Sequence, residues 1–186
     1  MRKTEIRNIV LIALFAALMI VGAYLKIPNP FFPVYFTFQT IFSILAGLLI
    51  GSRKGAMSMT LYMAMGLAGL PVFSTPAGIH YILNPTFGYI LGFIAAAWAV
   101  GKISELFPDY TIGAAFLASS AGILSIYFSG TLYMYLLNIF YTGTPIGYFG
   151  ILSGMALYFI KDLILIIPAA FLSVQIRKRT AFVYGS

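Results

Sequence analysis

The chain has 186 residues, 61% of them hydrophobic and only 8% charged, against about 45–50% and about 25% in an ordinary soluble domain. So little polar surface excludes a water-soluble globule and points to an integral membrane protein. At about 20 residues per helical span, 186 residues hold about six spans and one transmembrane domain over residues 1–186. Eleven Lys and Arg against four Asp and Glu give a net charge of +7, but the basic residues fall in short clusters between apolar runs. That pattern orients helices in a bilayer and argues against a nucleic-acid partner. No cysteine is present, and His80 is the only histidine, so disulfides and thiolate metal sites are excluded and a histidine metal site is poorly supplied.

The first apolar run, Asn8 to about Leu25, follows Arg2, Lys3 and Arg7. It has the charge layout of a signal peptide, but its length and the lack of a clear A-x-A site predict a retained first helix. The second and third runs, about Phe36–Gly51 and Gly55–Leu70, are joined by Ser52-Arg53-Lys54, which predicts a tight hairpin with a cytoplasmic turn. A fourth run covers about Thr86–Ile103, a fifth about Thr111–Leu137 and a sixth about Gly147–Ile176. With six spans, Arg2, Lys3, Arg7, Arg53, Lys54, Lys102, Arg177, Lys178 and Arg179 share one side, and Lys26 alone lies on the other. The predicted fold is therefore all-α, with six transmembrane helices and both termini cytoplasmic.

The loops of the other side are Pro28–Pro33, Pro71–Pro85 and Asn138–Gly147. They are rich in Pro, Gly and aromatics, as compact caps at the mouth of a binding site would be, although prolines that merely end helices give the same pattern. No internal repeat of the secondary-transporter kind is evident.

A charge at membrane depth costs a few kcal/mol even on lenient insertion scales, so it asks for a partner or a purpose. Lys161 and Asp162 stand in the middle of the sixth run. Neighbours on a helix point about 100° apart, so the two need not pair with each other. They are either a ligand site or an interhelical tie. Gln39 and Asn84, near the non-cytoplasmic ends of the second and fourth runs, could read a ligand's donors and acceptors. They could equally tie helices together, or, for Asn84 before Pro85, form a turn or a helix cap. His80 reads as a loop hydrogen-bonder.

Small residues four apart occur at Ala13 and Ala17, Gly47 and Gly51, Gly88 and Gly92, and Gly150 and Gly154. Such pairs let helix backbones approach. Ala13 with Ala17 is the candidate for docking another membrane protein, with Ala16 expected to widen the same smooth surface. No P-loop, H-E-x-x-H or G-x-S-x-G motif occurs, so energy for active transport would have to come from elsewhere, and no enzyme motif is present.

Three segments resemble the BioY family, the biotin-binding S components of energy-coupling-factor (ECF) transporters. They are Pro33–Thr40 continuing through Leu45–Gly51, Gly66–Phe73, and Asn84–Phe93. The resemblance runs from about residue 10 to about 180 and is specific between 33 and 101. It implies a six-helix, non-enzymatic protein of the prokaryotic cell membrane, with biotin as ligand and no cofactor. Its partners would be a transmembrane coupling subunit, met through Ala13 and Ala17, and two ATP-binding-cassette ATPases.

Biotin offers two ureido N–H donors, a carbonyl, an apolar ring and a carboxylate tail. Asp162 could accept from the ureido nitrogens, with Gln39 or Asn84 completing the set, Phe73 and Tyr89 walling the ring and Lys161 meeting the carboxylate. The family usually has Pro-Gly before the sixth-helix Asp and a Lys three residues after it. Here Ile160 and Lys161 precede Asp162 and Leu165 holds the Lys position, four residues from Lys161 and on the same helical face. The loop before the fourth helix also departs from the family's glycine-rich form, reading Ser74-Thr-Pro-Ala-Gly-Ile-His80. The competing readings are an S component for a biotin precursor or another vitamin, a small intramembrane enzyme using Asp162 with Lys161 or His80, and a purely structural membrane subunit.

Overall fold

The computed structural model describes residues 3–28, 35–107, 110–143 and 146–184. Six helices follow in order: α1 (Lys3–Tyr24), α2 (Gln39–Ile50), α3 (Ser52–Leu67), α4 (Phe87–Glu105), α5 (Ile112–Leu137) and α6 (Tyr148–Tyr184). A 3₁₀ turn at Ile79–Leu83 precedes α4, and a π-helical turn at Asn138–Thr142 extends α5. Between α1 and α2 lies a two-rung antiparallel ribbon, β1 (Lys26–Ile27) against β2 (Phe36–Thr37), pairing Lys26 with Thr37 and Ile27 with Phe36. The expected all-α fold thus holds apart from this ribbon.

The second apolar run is shorter as a helix than its sequence extent because its first residues, Phe36 and Thr37, enter the ribbon and not the helix. At a rise of about 1.5 Å per residue, α2 and α3 are roughly 18 and 24 Å long. Among the described residues, four helical stretches are long and apolar enough to cross a membrane: Thr4–Tyr24, Phe87–Glu105, Ile112–Thr142 and Tyr148–Arg179. The sixth helix continues eight residues beyond the apolar run, carrying the basic residues Arg177, Lys178 and Arg179 as a helical extension. The predicted Pro28–Pro33 cap lies largely outside the described residues.

Helix α4 is the central element, packing on α5, α2 and α3. Glycine makes that possible. A Cβ added at Gly92 would stand 2.9 Å from the Ile126 Cα and 3.0 Å from its carbonyl oxygen, so α4 and α5 meet backbone to backbone. Gly47 likewise faces α4, against Val100. Gly51 serves a different purpose: at φ +83° it turns the chain from α2 directly into α3. Gly150 has only Ile146 of its own segment nearby, so no helix crossing is built on it.

One end of the bundle collects the charges. Ser52 donates to Glu105 Oε1 through its backbone N–H (3.0 Å) and its hydroxyl (2.9 Å), and Lys102 stands 3.6 Å from Glu105. Lys54 donates to Asn8 Oδ1 at 3.4 Å. Arg177 on α6 donates through Nε to the Leu48 carbonyl (2.8 Å) and through Nη2 to Ser104 Oγ (3.3 Å), while its guanidinium lies 3.8 Å from the Tyr110 ring centre. The grouping of basic residues anticipated from the sequence is thus realised in space for Lys54, Lys102 and Arg177.

Candidate binding cavity and family

At the other end, the start of α2, the loop before α4, and the middle of α5 and α6 enclose a cavity of about 250 Å³. Asp162 is its deepest charged group and is 3% exposed. One carboxylate oxygen, Oδ2, accepts from Thr40 Oγ1 (2.9 Å) and from the Tyr127 hydroxyl (2.8 Å). The other, Oδ1, is 2.8 Å from Lys161 Nζ. That contact is an ion pair without hydrogen-bond alignment, and Oδ1 is buried with no hydrogen bond. Adjacent residues on a helix need not pair, but Lys161 and Asp162 do. Lys161 also donates to the Thr37 carbonyl at 2.6 Å, with the rings of Phe36 and Phe38 within 6 Å of its ammonium.

Three buried polar side-chain atoms lack a hydrogen bond among the described residues: Asp162 Oδ1, the Tyr89 hydroxyl and Thr75 Oγ1. All three residues line this same cavity. A buried polar atom without a partner costs about 1–3 kcal/mol; Oδ1 is compensated by Lys161, but the Tyr89 hydroxyl and Thr75 Oγ1 are not, and their convergence with a buried carboxylate on one space is the arrangement of a site built for a polar ligand. Tyr81, Ile90, Phe93, Met134, Met155 and Tyr158 supply the apolar wall, as expected where a few placed polar groups orient a mostly apolar molecule.

The other sequence candidates are sorted by the same geometry. Gln39 lines the cavity and also donates through Nε2 to the Tyr62 hydroxyl at 2.8 Å, so it is both cavity wall and helix tie. Asn84 lines the cavity as well, but its Oδ1 accepts from the Thr86 backbone N–H (3.0 Å) and Thr86 Oγ1 (2.7 Å), the turn role foreseen for an amide before proline. Phe73 is not in the lining. It sits one layer behind, its ring 4.3 Å from that of Tyr81 and 5.4 Å from that of Tyr62, and Tyr81 takes the wall position. His80 is exposed on the 3₁₀ turn.

Ala13 and Ala17 are exposed on α1 beside Ile9, Val10 and Val21. Ala16, however, is 1% exposed and packs in the core, so it does not widen that surface as expected. The helical spacing explains the error: about 100° round the helix from Ala17, Ala16 falls on the inward side, three and seven residues before the buried Met19 and Ala23.

A chain with four membrane-length apolar helices and a buried carboxylate facing a partly polar cavity is an integral membrane binding protein. Comparison with known proteins narrows the class. The sequence model of the BioY family matches residues 1–182. A protein of Lysinibacillus sphaericus named probable biotin transporter BioY is 37% identical over 96% of this chain and 90% of its own length. The biotin transporter BioY of Thermotoga maritima is 32% identical, over 92% of this chain and 96% of its own. The chain belongs to the BioY family, whose named relatives are transporters and not enzymes. The crystal structure of an S component for biotin from an ECF-type ABC transporter shares its fold, with a TM-score of 0.82 at 22% identity over 96% of this chain and 95% of that one.

Proposed function

We propose that this protein is the biotin-binding S component of an ECF-type transporter of the prokaryotic cell membrane. It takes biotin into the cavity at the Asp162 end and releases it inward when docked on a transmembrane coupling subunit that carries two ATPases. The observation that carries the reading is the buried Asp162 carboxylate, whose Oδ1 is met only by the Lys161 ammonium, in the same cavity as the unpartnered Tyr89 hydroxyl. A carboxylate accepts from N–H groups, and a cyclic urea presents two of them and one carbonyl, which the Tyr89 hydroxyl can meet as donor. Gln39 and Asn84 add amide groups to the wall, Tyr81 and Tyr158 face the apolar ring, and Phe73 supports them from behind. Lys161 holds the Asp162 carboxylate in place through their ion pair.

All six helices cross the bilayer in this reading, the short α2 and α3 together with the four longer ones, and residues 1–186 form one domain. The end bearing Lys54, Lys102 and Arg177 faces the cytoplasm under the positive-inside rule, with both termini there. The exposed Ala13–Ala17 surface of α1 is the docking face for the coupling subunit, since small residues let a partner helix approach closely. The protein itself needs no cofactor.

Calorimetric titration of the detergent-solubilised protein with biotin, desthiobiotin and thiamine tests the proposal. Saturable biotin binding at submicromolar concentration is the expected result. Binding of thiamine in preference to biotin would reassign the ligand, and heat from none of the three would remove the binding function.

A further inference from the structure

The ribbon between α1 and α2 brings a second cation, Lys26, up against two residues of the cavity lining, and the proposed function leaves it without a role. Lys26 and Lys161 meet the same rung. Lys26 pairs with Thr37 across the ribbon, and Thr37 offers its carbonyl to Lys161. The electrostatic situations of the two differ. Lys161 stands 2.8 Å from the Asp162 carboxylate and is one-quarter exposed, whereas Lys26 makes no ion pair among the described residues and is exposed.

Lys26 is nonetheless held in position. Its Nζ donates to the Ser74 carbonyl at 2.9 Å and lies 4.7 Å from the centre of the Tyr35 ring. Both Ser74 and Tyr35 line the cavity. The loop it grips is fixed from two other points, because Tyr24 donates to the Pro71 carbonyl and the Gly78 N–H donates to the Gly66 carbonyl at 2.8 Å. An ammonium has three N–H donors, so two remain after the bond to Ser74. The lysine is thus a localised positive charge beside the cavity lining, on the solvent side of the ribbon, with donors to spare.

We infer that Lys26 is the group that receives the free carboxylate of the ligand, and that the tail of the ligand therefore points to the outer rim while its ring lies toward Asp162. This inference rests on the biotin reading above and extends it by fixing the ligand's direction. The chemistry favours Lys26 over Lys161 for this task. Lys161 already has a carboxylate partner and a carbonyl, and bringing a second anion beside Asp162 would set two like charges close together in a buried space, which is unfavourable for both. At the rim an anion meets one cation and remains partly hydrated, so little desolvation opposes the contact. Tyr35, already beside Lys26, and Thr75, whose hydroxyl is buried and without a hydrogen bond, both line the cavity and are available to the tail.

The test compares biotin with its uncharged carboxamide, titrated calorimetrically into the wild-type protein and into Lys26→Met, Lys26→Arg and Lys161→Met. In Lys26→Met, biotin should bind roughly tenfold more weakly while the carboxamide keeps its wild-type affinity. That retained affinity doubles as the control for folding. Lys26→Arg should preserve the preference for the acid. Equal loss of acid and carboxamide in Lys26→Met, or no loss of either, overturns the assignment while leaving the biotin reading intact. A selective loss of the acid in Lys161→Met with none in Lys26→Met would reverse the ligand's direction and also overturn it. If the wild-type protein binds neither compound, the biotin reading fails and the Lys26 assignment falls with it.

Discussion

Helix α6 carries two charged groups fifteen residues, or about 22 Å, apart, and they are treated in opposite ways. Arg177, half-buried, has its donors directed at the Leu48 carbonyl and Ser104 with its plane against Tyr110. It ties the end of α6 to α2 and α4. Asp162, buried, uses one oxygen on Thr40 and Tyr127, and sets the other, which has the Lys161 ammonium beside it and no hydrogen bond, in the cavity lining. Asp162 lies within the apolar run, where charge is expensive, and Arg177 just past its end. What separates a tie from a site is whether hydrogen-bonding capacity is left over and whether open space adjoins it.

The contrast is broken most sharply at Asp162. Asp162→Asn keeps the shape and can still accept from Thr40 and Tyr127, but it replaces the carboxylate that would meet the ligand's N–H groups and leaves Lys161 without its counter-ion. Biotin affinity should fall at least about a hundredfold, roughly 2.7 kcal/mol, in calorimetry on protein that remains monodisperse. Unchanged affinity would mean that the open carboxylate oxygen is not a ligand contact.

Arg177→Ala should do the reverse. Removing the guanidinium strands the Leu48 carbonyl and opens the packing on Tyr110, which at about 1–3 kcal/mol per unsatisfied buried group predicts a loss of about 2 kcal/mol, read as a lower unfolding temperature in detergent. The biotin dissociation constant should stay within about twofold. A binding loss as large as that of Asp162→Asn would show that the two ends are coupled.

Much of this was readable from residue types, and the rest was hidden for definable reasons. Lys161 and Asp162 stand out in the sequence because formal charges are rare and costly in an apolar run. The partners of Asp162 do not. Hydroxyls such as Thr40 and Tyr127 cost little at membrane depth, tyrosine occurs 13 times, and Thr40 is 122 residues from the carboxylate it donates to. Thr75 was hidden for the same reason, in a loop whose neighbours suggest only a turn. Phe73 illustrates a different limit: an aromatic in a motif announces a packed position, but not whether it stands at the wall or behind it. Most helix ends were legible to within about three residues; the larger differences are the basic ends, where α1 begins five residues before its apolar run and α6 continues eight beyond its own, because a helix does not stop where hydrophobicity does, while backbone pairing drew Phe36 and Thr37 out of the second run and into the ribbon.

Tyr89 gives the smallest and most discriminating effect. Its hydroxyl is buried beside Asp162 with no hydrogen bond, so in the empty protein it contributes a desolvation cost and no bond. Tyr89→Phe should therefore leave the unfolding temperature unchanged or raise it slightly, because removing an unsatisfied polar atom while keeping the ring takes away a cost and little packing. If that hydroxyl is held open for the ligand, the same change should weaken biotin binding about tenfold, or about 1.4 kcal/mol. A substitution that stabilises the protein and impairs binding separates a site from a tie, because loss of a structural hydrogen bond moves stability in the other direction. A drop in unfolding temperature with unchanged biotin affinity would place Tyr89 with Arg177 among the groups that hold the bundle together.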